Sequence, residues 1–426
     1  MPQTDAYGNR LNTPSPAARE AYDRGVQVFL SGNYGAAEAF RDCVAADPGF
    51  GLGHAALARA QMMAGDMASA RTSLGAAARL VVSDDTRAQQ HVAALQAVLS
   101  GRSKEARALV FSHVRDYPRD ALTAQLCTNV FGLIGFSGEI GREAELLAYT
   151  GWLLPHYGED WWILSMHALS LCETGRIAAS QAMMERALAL NSRNAHGAHF
   201  KSHAYYEAGE TARGQAYLAD WITGLDRRSI LHGHLNWHAA LWALQDGDTA
   251  AMWSILDSTI LPDTSHGLPL NVLTDTAALL WRAELAGIDV PADRWRQMSD
   301  YAAQHFDTPG QSFADMHAAL SHAMAGDGDR LARLVEASRG FAADLVRPVA
   351  SAWGAIARQD WPGALDALVP VLAQSERIGG SRAQRDLLEL SHAMVLLRLG
   401  RRDEASRALA LRRPFLDRPV PVSGLH

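Results

Sequence analysis

The sequence predicts an all-α protein, a superhelical solenoid built from antiparallel helical hairpins, and three observations carry that expectation. Every interpretable segment has helical apolar periodicity; short turns containing Gly or Asp recur at the spacing of helix pairs; and no alternating Val/Ile/Thr-rich run or Asn-Gly signal argues for strands. At 426 residues the chain could hold two or three domains, but repetition of one unit favours a single array. The expected division is a polar segment over residues 1–16, one solenoid over 17–412 and a tail over 413–426.

Residues 1–16 are polar and contain Pro14 and Pro16. Helix is expected from Ser15-Pro16, where Ser can cap and Pro can occupy the first turn. Ala36, Phe40, Cys43 and Pro48 then set a spacing, and Leu57 and Ala58, the turn Gly65-Asp66, and Ala70, Leu74 and Ala77 set a matching one. This is the tetratricopeptide pattern: small residues where two helices cross closely, a large apolar residue one turn on, and a turn midway. It recurs at Ala168, Leu171, Gly175, Ser180, Met184 and Ala187, and again from Tyr205 through Gly209 to Trp221. A further copy runs from Ala240 through Gly247 to Leu256, and weaker ones turn at Gly287, Gly326, Gln359-Asp360 and Gly400. The expectation is a tetratricopeptide-like α-α superhelix of about eight or nine hairpins. Three stretches interrupt the repeat, at residues 132–162, 260–273 and 377–390. Long ordered connections on a rigid scaffold are where function concentrates.

Composition narrows the class. Apolar residues make up 48% and charged residues 20%, as in soluble globular proteins. A formal net charge of −7 without any concentrated Lys/Arg run argues against a nucleic-acid backbone as main partner. Cys43, Cys127 and Cys172 are odd in number and far apart, which reads as buried thiols rather than a disulfide framework. No secretory signal is visible at the N-terminus, and no apolar run reaches the roughly 18 residues of a membrane span. The default expectation is a cytoplasmic protein without membrane insertion.

The histidines are unevenly placed. Six of the 17 fall within the 43 residues from His196 to His238. His199 with His203, and His234 with His238, are spaced i,i+4, so each pair forms a rung on one helix face. Aligned on Gly209 and Gly247, His199, His203 and His234 take helix positions that point into the concave groove of such a repeat, with His238 and His317 at a less decisive position. Two imidazoles one turn apart are half a transition-metal site, and neighbouring helices about 8–10 Å apart can bring two rungs to one ion. A divalent transition metal on His199, His203, His234 and His238 is therefore one expectation. General acid–base chemistry at these residues and His317, oriented by Asp315 or Asp386, is the other. A lone histidine on such a helix is more often a structural hydrogen-bonder. No GxSxG nucleophile motif accompanies the cluster.

Other candidates surround it. Trp237, between His234 and His238, could wall an apolar pocket. Ser381 follows Gly379-Gly380 at a helix start, where free N–H groups hold an anion or a plain N-cap forms. Gln384-Arg385-Asp386 lies roughly 145 residues beyond His238, so a shared site requires the array to curl and close its groove into a central pocket. Arg385 would then supply the fixed positive charge and Asp386 would hold a histidine tautomer.

Several ordered segments together resemble the tetratricopeptide-repeat protein 38 family. They are Ala46-Asp47-Pro48 with Phe50 and Gly53-His54-Ala55; Gln90-His91-Val92 with Ala94; and Tyr117-Pro118 with Asp120. The centre adds His199, His203, His234, Trp237-His238 and Ala240-Leu241, and the end adds Phe313, Asp315 and His317, then Gly379-Gly380-Ser381 and Ala383-Gln384-Arg385-Asp386. The resemblance spans nearly the whole chain and implies a superhelical helical-repeat fold, without an established reaction. Residues 131–166 depart from it, with GFSGEIG where a regular helix is expected.

The functional expectation is a histidine-rich pocket that binds a small anionic molecule, with catalysis left open. The alternative is a scaffold that binds peptides in its groove. Lys201 is the only lysine of the central helices, so the usual carboxylate clamp of peptide-binding repeats is missing. A purely structural assembly role is disfavoured by polar chemistry concentrated in one place.

Overall fold

A computed structural model describes residues 3–412 and 421–425. Among them the only strands are β1 (Gln3–Thr4) and β2 (Arg10–Leu11), a two-residue antiparallel ladder. All other regular structure is helical. The first three hairpins pair α1 (Pro16–Ser31) with α2 (Ala36–Ala46), α3 (Gly51–Met63) with α4 (Met67–Leu80), and α5 (Thr86–Leu99) with α6 (Ser103–Asp116). A single turn, α7 (Ala121–Ala124), and the long α8 (Arg142–Tyr157) flank an irregular segment. The centre pairs α9 (Trp161–Glu173) with α10 (Ile177–Leu190), α11 (Ala195–Ala208) with α12 (Thr211–Trp221), and α13 (His232–Gln245) with α14 (Thr249–Ile255). The last four pair α15 (Pro269–Leu285) with α16 (Ala292–His305), α17 (Ser312–Met324) with α18 (Gly328–Ala337), α19 (Ala343–Ala357) with α20 (Trp361–Leu372), and α21 (Arg382–Arg398) with α22 (Arg402–Arg412). The protein is an all-α tetratricopeptide-like solenoid. Among the described residues it has ten regular hairpins, more than the eight or nine expected, because α5 and α6, turning at Gly101, carry too weak a register to be recognised.

The turns explain the hairpins. Gly65, Gly247 and Gly326 sit at φ of 79°, 78° and 75°, ending one helix in the left-handed region where a Cβ is penalised. The Asp that follows each, Asp66, Asp248 and Asp327, caps the next helix by accepting a backbone N–H three residues on. Ser15 caps α1 and Pro16 occupies its first position, as the sequence implies.

One apolar core runs through the N-terminal half and includes Phe40, Trp162 and Phe200. A second fills the C-terminal half around Trp237, Trp281 and Trp353. A smaller one, with Tyr205 and Trp242, lies between them.

The array curls on itself. At one side the end of α1 meets the loops beside α11 and α13: Ser229 Oγ donates to Gly32 O at 2.9 Å and Asn33 Nδ2 to Arg193 O at 2.7 Å. At the other, Arg142 of α8 donates to the carbonyls of Glu376 and Gly380 just before α21. The irregular segment after α7 wedges Phe131 and Phe136 against Phe313 and Phe341. Gly379 permits this, since a Cβ there would lie 2.6 Å from Phe136. Of the expected tail, residues 413–420 and 426 lie outside the described residues; Ser423 N donates to Leu285 O at 2.7 Å, and Val422 and Leu425 are buried. Among the described residues no helix is long and apolar enough to cross a membrane.

Candidate metal centre

α11 begins where Asn194 accepts the Gly197 N–H at 3.0 Å and ends at Gly209, with φ 71°. Asn194 also donates to Ser165 Oγ at 2.9 Å, tying α11 to α9. These ends fix the rotation of α11, so His199 and His203 face α13 and its rung, His234 and His238. One ligand nitrogen from each ring lies within 4.8 Å of all the others. Neighbouring ring centroids are 4.5–5.1 Å apart, while the two diagonals are 5.4 and 6.4 Å. The four rings thus form a puckered square. All four are buried, at 8, 1, 3 and 0% exposure, so the open groove expected from repeat register is closed here.

Burial decides their charge. Desolvation, with the neighbouring imidazoles adding to it, holds His199 and His238 well below the usual histidine pKa and pushes His203 down to about 3. Neutral imidazole carries one N–H and one lone pair. His203 and His199 meet through their Nε2 atoms at 2.8 Å, which uses one of each. Nδ1 of His199, Nδ1 of His203 and both ring nitrogens of His238 have no hydrogen-bond partner among the described residues. Buried polar atoms are seldom left so, since each costs about 1–3 kcal/mol.

Two residues from α15 complete the surroundings. Asp275 Oδ2 lies 2.8 Å from His234 Nδ1. With the proton on Nδ1, His234 Nε2 keeps its lone pair, which is the carboxylate–histidine arrangement of metal sites. Burial pushes the Asp275 carboxyl above its ordinary value, and His234 pulls it back. Two turns on, Arg282 donates through Nη2 to Ala383 O at 2.8 Å and to Asp386. Its Nε and Nη1 are buried without a partner among the described residues, and its guanidinium lies 6.0 Å from the Trp237 ring. Trp237 itself stacks on His234, with centroids 5.2 Å apart and planes 13° from parallel.

The remaining expected residues are placed differently. His317 lies outside the group of four, with Nδ1 2.8 Å from Phe313 O, and burial pushes it down to about 4. Asp315 accepts the Gly310 N–H at 2.9 Å rather than a histidine, and burial pushes it up to about 7. Ser381 and Gln384 form a reciprocal capping box at the start of α21. The anion at that helix start is internal: Arg382 N donates to Glu173 Oε2 at 2.9 Å. Arg385 is engaged by Glu143 and the Gly380 carbonyl. The cation beside the histidines is therefore Arg282, whose charge helps depress both His238 and His317. Asp386 bonds Arg282 and Tyr206 instead of a histidine.

Asp275 and Arg282 escaped the sequence reading, although a signal existed. In NVLTDTAALLWRAEL both are charged residues, seven apart on one face of a largely apolar helix. Such residues are almost never buried without partners.

No family model matches the chain. Among solved structures it is similar to the human IFIT1 dimer with m7Gppp-AAAA at 13% identity and TM-score 0.46, over 96% of each chain. The yeast Tom70 matches at 12% identity and TM-score 0.37, over 92% of this chain and 83% of that one.

Proposed function

We propose that the chain is a tetratricopeptide-like protein whose curled interior holds one divalent transition-metal ion on His199, His203, His234 and His238. The observation that carries this reading is four buried imidazoles, three of them held neutral by burial, with converging nitrogens and no other partners for most of them. A tetrahedral ion with bonds of 2.0–2.1 Å wants ligand nitrogens about 3.3 Å apart, so the rings need only small movements from their present spacing. All-imidazole coordination suits zinc, copper, iron or nickel. Asp275 orients His234 and offsets part of the ion's charge. A dication beside Asp275 keeps a positive excess, and Arg282, its charge paired with Asp386, still offers Nε–H and Nη1–H groups without a partner among the described residues. The pair favours a small anion, which would have to enter as a fifth ligand beside the four imidazoles for the ion to polarise its oxygen as a Lewis acid.

The ordered motifs support placing the chain in the tetratricopeptide-repeat protein 38 family. Some of them also meet in space, as where His91 Nδ1 lies 3.2 Å from Asp120 Oδ2. The buried thiols of Cys43, Cys127 and Cys172 fit a reducing, cytoplasmic setting. A peptide scaffold needs an open groove, and side chains fill this one at α11 and α13.

Elemental analysis and native mass spectrometry of protein reconstituted with zinc, cobalt, nickel, copper and ferrous iron test the reading. One ion per chain is expected, lost in His203→Ala and His238→Ala while helical circular dichroism is kept. If no ion survives desalting under any of these conditions, the metal reading fails.

A further inference from the structure

Where the first hairpin docks on the central repeats, the two surfaces leave a cavity of about 350 Å³. α1, α2 and α3 wall one side; Arg228, Ile230 and residues 266–269, with His196 of α11, wall the other. None of the four metal-site histidines lines it. Phe29, Ala60, Met63 and Leu268 give it an apolar surface. Gly32 sets the closeness of the two sides, because a Cβ there would lie 2.8 Å from Leu231 and 2.9 Å from His196.

Behind this wall sits an uncompensated cation. Arg59 is 8% exposed, and its guanidinium lies 5.3 Å from the Phe29 ring. Nη2 donates to Gln125 Oε1 at 2.8 Å, and both Gln125 and Phe29 line the cavity. Nε has no partner among the described residues. Burial lowers the group to about 10 with no acidic neighbour raising it. A buried charge is ordinarily paired, and an unpaired one is costly.

The rim carries charge of both signs. Arg41 and Arg228 both line the cavity; Arg228 stacks 3.9 Å above Tyr34 and pairs outward with Asp226. Glu38 is the one carboxylate on the wall, 3.6 Å from Arg41 and bonded to the Tyr34 hydroxyl. α2 and α15 start here at Gly35 and Leu268 without side-chain caps, leaving N–H groups and positive dipole ends at the wall.

We propose that this cavity binds a small organic anion, a carboxylate or phosphate ester on a compact apolar body. The charge answers Arg59 and the rim arginines, and the body lies against Phe29, Met63 and Leu268. The size falls at the lower end of small-molecule sites. The site is separate from the metal centre and does not depend on its occupancy.

Phenyl phosphate is the probe, with benzyl alcohol as the neutral control, titrated calorimetrically into the full chain as purified and again after chelation. Saturable binding of one phenyl phosphate per chain is expected, with the same Kd in both preparations and at least tenfold weaker binding of benzyl alcohol. Arg59→Met should weaken phenyl phosphate at least tenfold. Ala64→Trp, an exposed position at the cavity edge, should block it with every charge in place. Equal affinity for the two probes, wild-type binding by both variants, or no saturable binding would overturn the proposal. So would binding seen only in the metal-loaded protein.

Discussion

Asp275 meets the cluster at His234, and with the proton on Nδ1 its carboxylate leaves Nε2 of that ring free. Asp275→Asn should keep the fold and lower zinc affinity about 10- to 100-fold, the usual effect of removing such a partner; unchanged affinity in a competition assay would show that the contact is structural. The histidines also make stability depend on pH. His203 is held at about 3, and His196 and His317 at about 4, below the unfolded value of about 6.5. Their contribution to stability is therefore complete above about pH 6.5. As pH falls below that value, the unfolded chain gains protons that the fold refuses, at about 1.4 kcal/mol per pH unit for each such residue. Metal-free protein should lose urea resistance steadily between pH 7 and 5. Metal affinity of the folded protein should change little over the same range, because protons do not compete for depressed imidazoles; a steep fall would mean that the rings are hydrated and titrate normally.

Helix spacing carries the site's precision. Gly214 of α12 lies where a Cβ would approach Trp242 of α13 at 2.5 Å, and the Trp242 ring is 6.2 Å from His238. Gly214→Ala should push the two helices apart, cost about 2 kcal/mol in urea unfolding and weaken metal binding with it. Loss of stability at undiminished metal affinity would uncouple the crossing from the site. The periodicity of α11 and α13 was readable because each has an i,i+4 pair and a terminating glycine. That of α5 and α6 was not, since Thr86–Leu99 and Ser103–Asp116 carry little of the small-and-large alternation that marks a crossing.

The closed shape of the molecule rests on a few long-range polar contacts. Arg142, buried in α8, holds the carbonyls of Glu376 and Gly380, more than 200 residues away in sequence. Arg142→Ala should cost about 3 kcal/mol, because it strands buried acceptors and the charges arrayed around it. Hydrogen exchange should accelerate first in α21, ahead of the N-terminal core; uniform protection across the chain would show that apolar packing alone keeps the array shut.

Local pattern was enough to determine most of the helices, the Gly-Asp turns, the capping of α1 and the two histidine rungs, because each depends on residues within one or two turns of one another. Their meeting was also legible, since adjacent repeats stack their first helices in register. What the tertiary structure alone decided is everything that depends on closure. It buried the rungs rather than exposing them in a groove and held the imidazoles of His199, His203 and His238 neutral. It gave Asp275 to His234 and spent Arg385 on Glu143 and Gly380, so that Arg282 became the cation beside the histidines. Repeat register specifies which face of a helix points inward, but not how far a long array curls, and that curl is the sum of small rotations at every hairpin.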